Sequence, residues 1–130
     1  IRLNMKYAAG VPDKYYPQFS QSFRGLTESG FTNLMIENQR FRLPHHGLER
    51  VKAPTLIVVG KHEYPAMHQS AHDLAAVIPA AQAYQVVHER KMSLAEEHNW
   101  NMTAPELFTQ TVRAWVTGQS LPNNLRPLGS

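Results

Sequence analysis

The sequence predicts an α/β protein organised around a parallel strand–helix–strand unit, on three observations. Leu56-Ile57-Val58-Val59 is an unbroken β-branched and apolar run that stops at Gly60, the pattern of a strand covered on both faces. Met67, Ala71, Leu74, Ala75 and Ile78 then trace one stripe of a helix, which Pro79 closes. Ala83-Tyr84-Gln85-Val86-Val87 reads as a second, partly alternating strand. A helix between two such strands makes a crossover, which should be right-handed and leave the strands parallel.

Upstream of this unit, residues 1–14 carry Gly10-Val11-Pro12-Asp13, a turn-rich lead-in. The spacing of Phe19, Phe23 and Leu26 predicts a first helix from about Tyr16 to Glu28, with Gly30 as its stop. A shorter second helix is expected from Thr32 to Arg40, with Phe31, Leu34 and Met35 facing inward and Pro44 preventing continuation. These aromatic and methionine side chains read as packing groups rather than a cofactor box.

Downstream, a loop runs from His88 to Met102. The ten residues from His88 to Glu97 exceed the roughly 2–6 of a usual strand–helix connection. Either a helical turn at Ser93 to Glu97 or a mobile loop accounts for them. The last helix is expected to open on a capping box between Thr103 and Glu106 and to line one face with Phe108, Val112 and Trp115. Gly118 is the expected terminator, and Leu121 to Ser130, rich in Pro and Asn, is expected to fray. The resulting division is a helical segment over 1–50, a βαβα core over 51–118 and a tail over 119–130.

Composition narrows the function classes. A chain of 130 residues, 42% hydrophobic and 18% charged, fits one soluble globular domain. No run approaches the roughly 20 apolar residues of a membrane span, and Ile1-Arg2-Leu3-Asn4-Met5-Lys6 has no apolar core of secretory-signal length. The absence of cysteine excludes disulfides and thiolate sites; the cytoplasm is the default location. The net charge is +3, and the densest basic region is Arg40, Arg42, His45, His46, Arg50 and Lys52. It lacks the interleaved aromatics of a base-stacking surface and reads as a solvated linker, so a nucleic-acid partner is not expected. An unrelated nucleic-acid binder using that region is the third and least supported reading.

Chemistry is expected where an open α/β sheet places it, beyond the carboxyl ends of its strands. Glu63 lies just past the first strand, and His98 lies well past the second in Glu97-His98-Asn99-Trp100. Strands roughly 4.8 Å apart let two such loops bring a carboxylate to an imidazole. The carboxylate then fixes the ring tautomer and leaves the other nitrogen free as a base. The bland alternatives are a surface histidine among seven and an acid that merely favours a helix N-terminus. Glu89, Glu96 and Glu97 compete with Glu63 for the acid role. His68 and His72 have metal-ligand spacing, but His-Gln-Ser-Ala-His has no glutamate beside the first histidine, so an exposed helix face is the better reading. His45-His46 reads as loop. No metal and no cofactor is expected, since phosphate-cradling glycine loops are also absent.

Taken in order, residues from about Val51 to Trp115 resemble the C-terminal half of an α/β-hydrolase. Pro54-Thr55-Leu56-Ile57-Val58-Val59-Gly60 looks like the strand that ends in Gly-x-x-Asp in that family, and Gly60-Lys61-His62-Glu63 puts Glu63 at the acid position. His98-Asn99-Trp100, followed by Pro105-Glu106-Leu107-Phe108, looks like the histidine loop and final helix. The resemblance implies that His98 is the catalytic base, that Glu63 orients it, and that residues 1–50 are a cap segment. The acid is Glu where the family commonly has Asp. A Gly-x-Ser-x-Gly nucleophile elbow and an oxyanion-hole segment are missing, and none of the seven serines has that context. The leading expectation is therefore a C-terminal portion of a hydrolase acting on a small-molecule substrate, with its nucleophile outside this chain. The alternative is a non-catalytic binding or assembly module on the same scaffold. Because two parallel strands leave an unpaired edge, the chain should self-associate through that edge or require a missing N-terminal half.

Overall fold

The computed structural model describes residues 10–40 and 46–129. Arg42, Pro44 and His45, the lead-in before Gly10 and the terminal Ser130 lie outside the described residues. The sheet has three strands in the order β1 (Thr55–Gly60), β2 (Ala81–Val86), β3 (Leu125–Pro127). β1 and β2 are parallel, in register from Thr55 opposite Ala81 to Gly60 opposite Val86. Between them runs helix α3, Pro65–Val77, which packs on both strands. Proline suits its first turn, where the amide would have no helical partner. Its buried stripe centres on Ala71, 4% exposed, and the following Ile78 is also buried. These contacts converge on Val59 and on Val86, which is 0% exposed. The mixed α/β class and the parallel βαβ unit thus follow the sequence pattern. The expectation of a strand covered on both faces is met only in part. β1 is an edge strand, and Leu56, Ile57 and Val58 are half-buried.

The C-terminal tail does not fray. Leu125–Pro127 pairs antiparallel with β2, Leu125 opposite Val86 and Pro127 opposite Tyr84. Asn124 closes this edge, its backbone oxygen accepting from the Val87 amide at 2.8 Å and its side chain donating to the Val87 carbonyl at 3.0 Å. Proline is tolerated because the strand is at an edge. The buried Leu125 supplies the apolar contact that anchors the tail.

Two N-terminal helices precede the sheet, α1 (Tyr16–Arg24) and α2 (Glu28–Arg40). The first ends earlier than its spacing suggests, and Gly30 lies inside the second rather than between them. Thr27 explains the shift. Its hydroxyl accepts from the Gly30 amide at 3.1 Å and its carbonyl from the Phe31 amide at 2.9 Å, so it caps a new helix. Phe31, Leu34 and Met35 do not face inward; Leu34 is 57% exposed, and neither helix has a buried residue. Their apolar groups meet one another instead, with the Phe23 and Phe31 rings 6.2 Å apart.

The long connection after β2 holds helix α4 (Leu94–His98), followed by α5 (Trp100–Thr103) and α6 (Pro105–Val116). The capping box falls at Ser93 and Glu96, not at Thr103 and Glu106. Thr103 is already spent, donating to the Glu96 carbonyl at 2.8 Å, and Pro105 begins α6 without a side-chain cap. Gly118 ends that region at φ 65°, the left-handed conformation that favours glycine. No helix among the described residues is long and apolar enough to cross a membrane.

Candidate active site

β1 ends at Gly60, and the turn that follows carries His62 and Glu63 in succession. β2 ends at Val86, and its connection leads into α4, whose last residues are Glu97 and His98. Because β1 and β2 are parallel neighbours, both segments leave the sheet at the same edge. Glu63 and His98 meet there, with His98 Nδ1 3.2 Å from Glu63 Oε1. The carboxylate is the buried member, its side chain 5% exposed, while the imidazole is 50% exposed. The same Glu63 oxygen accepts from the Tyr64 amide at 3.1 Å, which fixes its direction ahead of α3. The Tyr64 ring stands edge-on to the His98 ring, centroids 6.2 Å apart. An imidazole held at Nδ1 by an ionised carboxylate presents Nε2 as its basic nitrogen. Both roles weighed for Glu63 are therefore present in the geometry, the histidine partner and the acid before a helix start.

A second pair crosses the first. His62 Nδ1 lies 2.8 Å from Glu97 Oε1, and the His62 amide donates to Glu97 Oε2 at 2.6 Å. Glu97 is almost fully buried, 2% exposed, and His62 is 66% exposed by side chain. The paired dipeptides His62-Glu63 and Glu97-His98 are mirror images in sequence. That symmetry was the available signal for this second pair, which the reading of single residues missed.

Beside Glu63 and His98 a cleft of about 220 Å³ is floored by Val59, Gly60, Ala71 and Leu74. A larger cavity of about 680 Å³ lies between the Gly10–Lys14 segment and the region from Arg90 to Glu106. Its Arg90 is already bonded to Glu96 at 2.9 Å, and neither carboxylate–imidazole pair lines it, so the smaller cleft is the one that the Glu63–His98 pair borders. Ser70 also lines that cleft, but its hydroxyl donates to the Ala66 carbonyl at 2.8 Å within the helix. It sits on a helix, not on a strand-to-helix elbow.

Two other ionisable groups have shifted pKa values. Glu96 is held below the usual carboxylate range by the Ser93 amide and then by the Arg90 side chain. Burial pushes His88 below the ordinary imidazole value. Its Nε2 is buried without a hydrogen bond, and its ring lies against Trp100, 6.5 Å between centroids. His72 is exposed and His68 half-buried on α3, where Asp73 accepts from Gln69 rather than from a histidine. No group of three or more His, Cys, Asp or Glu side chains among the described residues is placed to hold a metal ion. Comparison with protein families, curated proteins and solved structures finds no match to this chain.

Proposed function

We propose that this chain is the C-terminal portion of an α/β-hydrolase-type enzyme, in which His98 is the general base and Glu63 the carboxylate that orients it. The observation that carries the reading is the 3.2 Å contact between Glu63 Oε1 and His98 Nδ1 at the carboxyl end of two parallel strands. His98 Nε2 takes the proton of an attacking hydroxyl or water on a small-molecule substrate, and Glu63 stabilises the imidazolium that forms. The nucleophile comes from a segment outside these 130 residues. The open edge of β1 supports that division, because a larger parallel sheet would continue there. The bond cleaved belongs to the class the family hosts: ester, amide, carbon–halogen, epoxide or carbon–carbon.

A binding or assembly module is the competing reading. It draws on the same open edge and on the apolar groove beside it, lined by Leu56, Val58, Trp100, Phe108, Val112 and Trp115. Turnover of p-nitrophenyl butyrate by the gene product that carries this chain separates the two. His98→Ala should lower kcat/KM by about 10²–10⁴-fold in a variant that circular dichroism shows still folded at the assay temperature. Turnover that survives the substitution contradicts the base assignment.

A further inference from the structure

We infer that Glu97 is a positioning residue that clamps the turn carrying Glu63 to the helix carrying His98. The inference rests on the reading of His98 as a base and adds a residue to it. Glu97 precedes His98 in α4, and His62 precedes Glu63 in the turn after β1. Both oxygens of Glu97 are engaged by that one turn residue, Oε2 by the His62 backbone amide at 2.6 Å and Oε1 by His62 Nδ1 at 2.8 Å. Each end of the clamp is thus one residue from a member of the proposed catalytic pair.

Three features show that the turn is built around this carboxylate. Glu97 is buried to 2% exposure, where a carboxylate without partners would be strongly unfavourable. Gly60 supplies the space: a Cβ there would lie 2.6 Å from Glu97 Oε2 and 2.9 Å from Glu97 Cβ. The clamp is also the tighter of the two contacts, 2.8 Å against 3.2 Å for Glu63 and His98. Short charge-assisted hydrogen bonds are the strong ones, and with the His62 backbone contact this one ties the turn to α4. Glu97 does not line the cleft. It acts through the register of the two segments.

The test reads the tautomers of His62 and His98 by ¹⁵N NMR of the imidazole nitrogens in the full chain, at a pH where both rings are neutral. A free side chain favours the Nε2–H form, whereas a carboxylate at Nδ1 enforces Nδ1–H. Both histidines should be Nδ1–H in the native chain. Glu63→Ala, which leaves no side-chain acceptor at that position, should revert His98 alone. Glu97→Gln should revert both, and so should Glu97→Asp, which keeps the charge but falls a methylene short and covers the case in which the amide variant does not fold. Reversion of His62 alone in either folded Glu97 variant overturns the positioning role and leaves the base assignment intact. An Nε2–H His98 in the native chain overturns the base assignment itself, and the positioning role with it.

Discussion

At the scale of single residues, the pairing of acid and histidine after successive strands was legible, and the crossed second pair was not. Glu63 and His98 could be paired because each follows a recognisable strand end. Glu97 stood only as a rival acid, since a sequence does not say which of two adjacent carboxylates turns inward. Ionisable residues outside the pair predict a two-stage loss of stability in acid. His88 has its pKa lowered by burial, so the folded chain binds its proton less readily than the unfolded chain. Its penalty is absent above the ordinary value of 6.5 and grows as pH falls from there towards the depressed folded value. Glu96 is lowered by hydrogen bonds from Ser93 and Arg90. Its contribution is intact above the ordinary value of 4.5 and is lost as pH falls through the lower folded value. Urea unfolding at stepped pH should show both declines, and His88→Gln should remove the upper one alone. A profile flat from pH 7 to 5 contradicts a His88 whose pKa is lowered by its partial burial.

At the scale of elements, the βαβ unit was readable because its apolar periods are clean, whereas the helix boundaries were set by local caps. Two hydroxyl groups decided the outcome. Thr27 restarts a helix that the apolar spacing of Phe19, Phe23 and Leu26 alone would have continued. Thr103 has capping-box spacing to Glu106, yet its hydroxyl donates to the Glu96 carbonyl seven residues back, a contact made only once α4 and α5 have packed. β3 was missed for the same reason: Leu125 is a strand residue only because β2 offers its edge. The box at Ser93 and Glu96 matters most for the site, because it starts the five-residue helix that ends at His98. Ser93→Ala should cost about 1 kcal/mol, read as a lower denaturant midpoint with unchanged slope. An unchanged midpoint would mean that α4 does not depend on its cap.

At the scale of the whole molecule, β1 has β2 as its one hydrogen-bonded strand neighbour among the described residues. Its residues are too apolar for a permanent edge, and the charges and prolines that protect such edges are absent from Leu56–Val59. The isolated chain should therefore associate with itself, and light scattering after size exclusion should give a mass above 14.8 kDa that falls on dilution. A well-folded monomer at every concentration would contradict the reading of β1 as an interrupted sheet.

The catalytic assignment is tested most directly by a double-mutant cycle on Glu63 and His98 in the gene product that carries this chain. Glu63→Gln, His98→Ala and the double variant would be compared for ester turnover at fixed folding stability. Two residues acting as one unit give non-additive losses. Each single change should therefore lower kcat/KM by at least about 10²-fold, and the double variant should lose little more than His98→Ala. Native turnover in either single variant, or losses that multiply, would contradict a base in which Glu63 works only through His98.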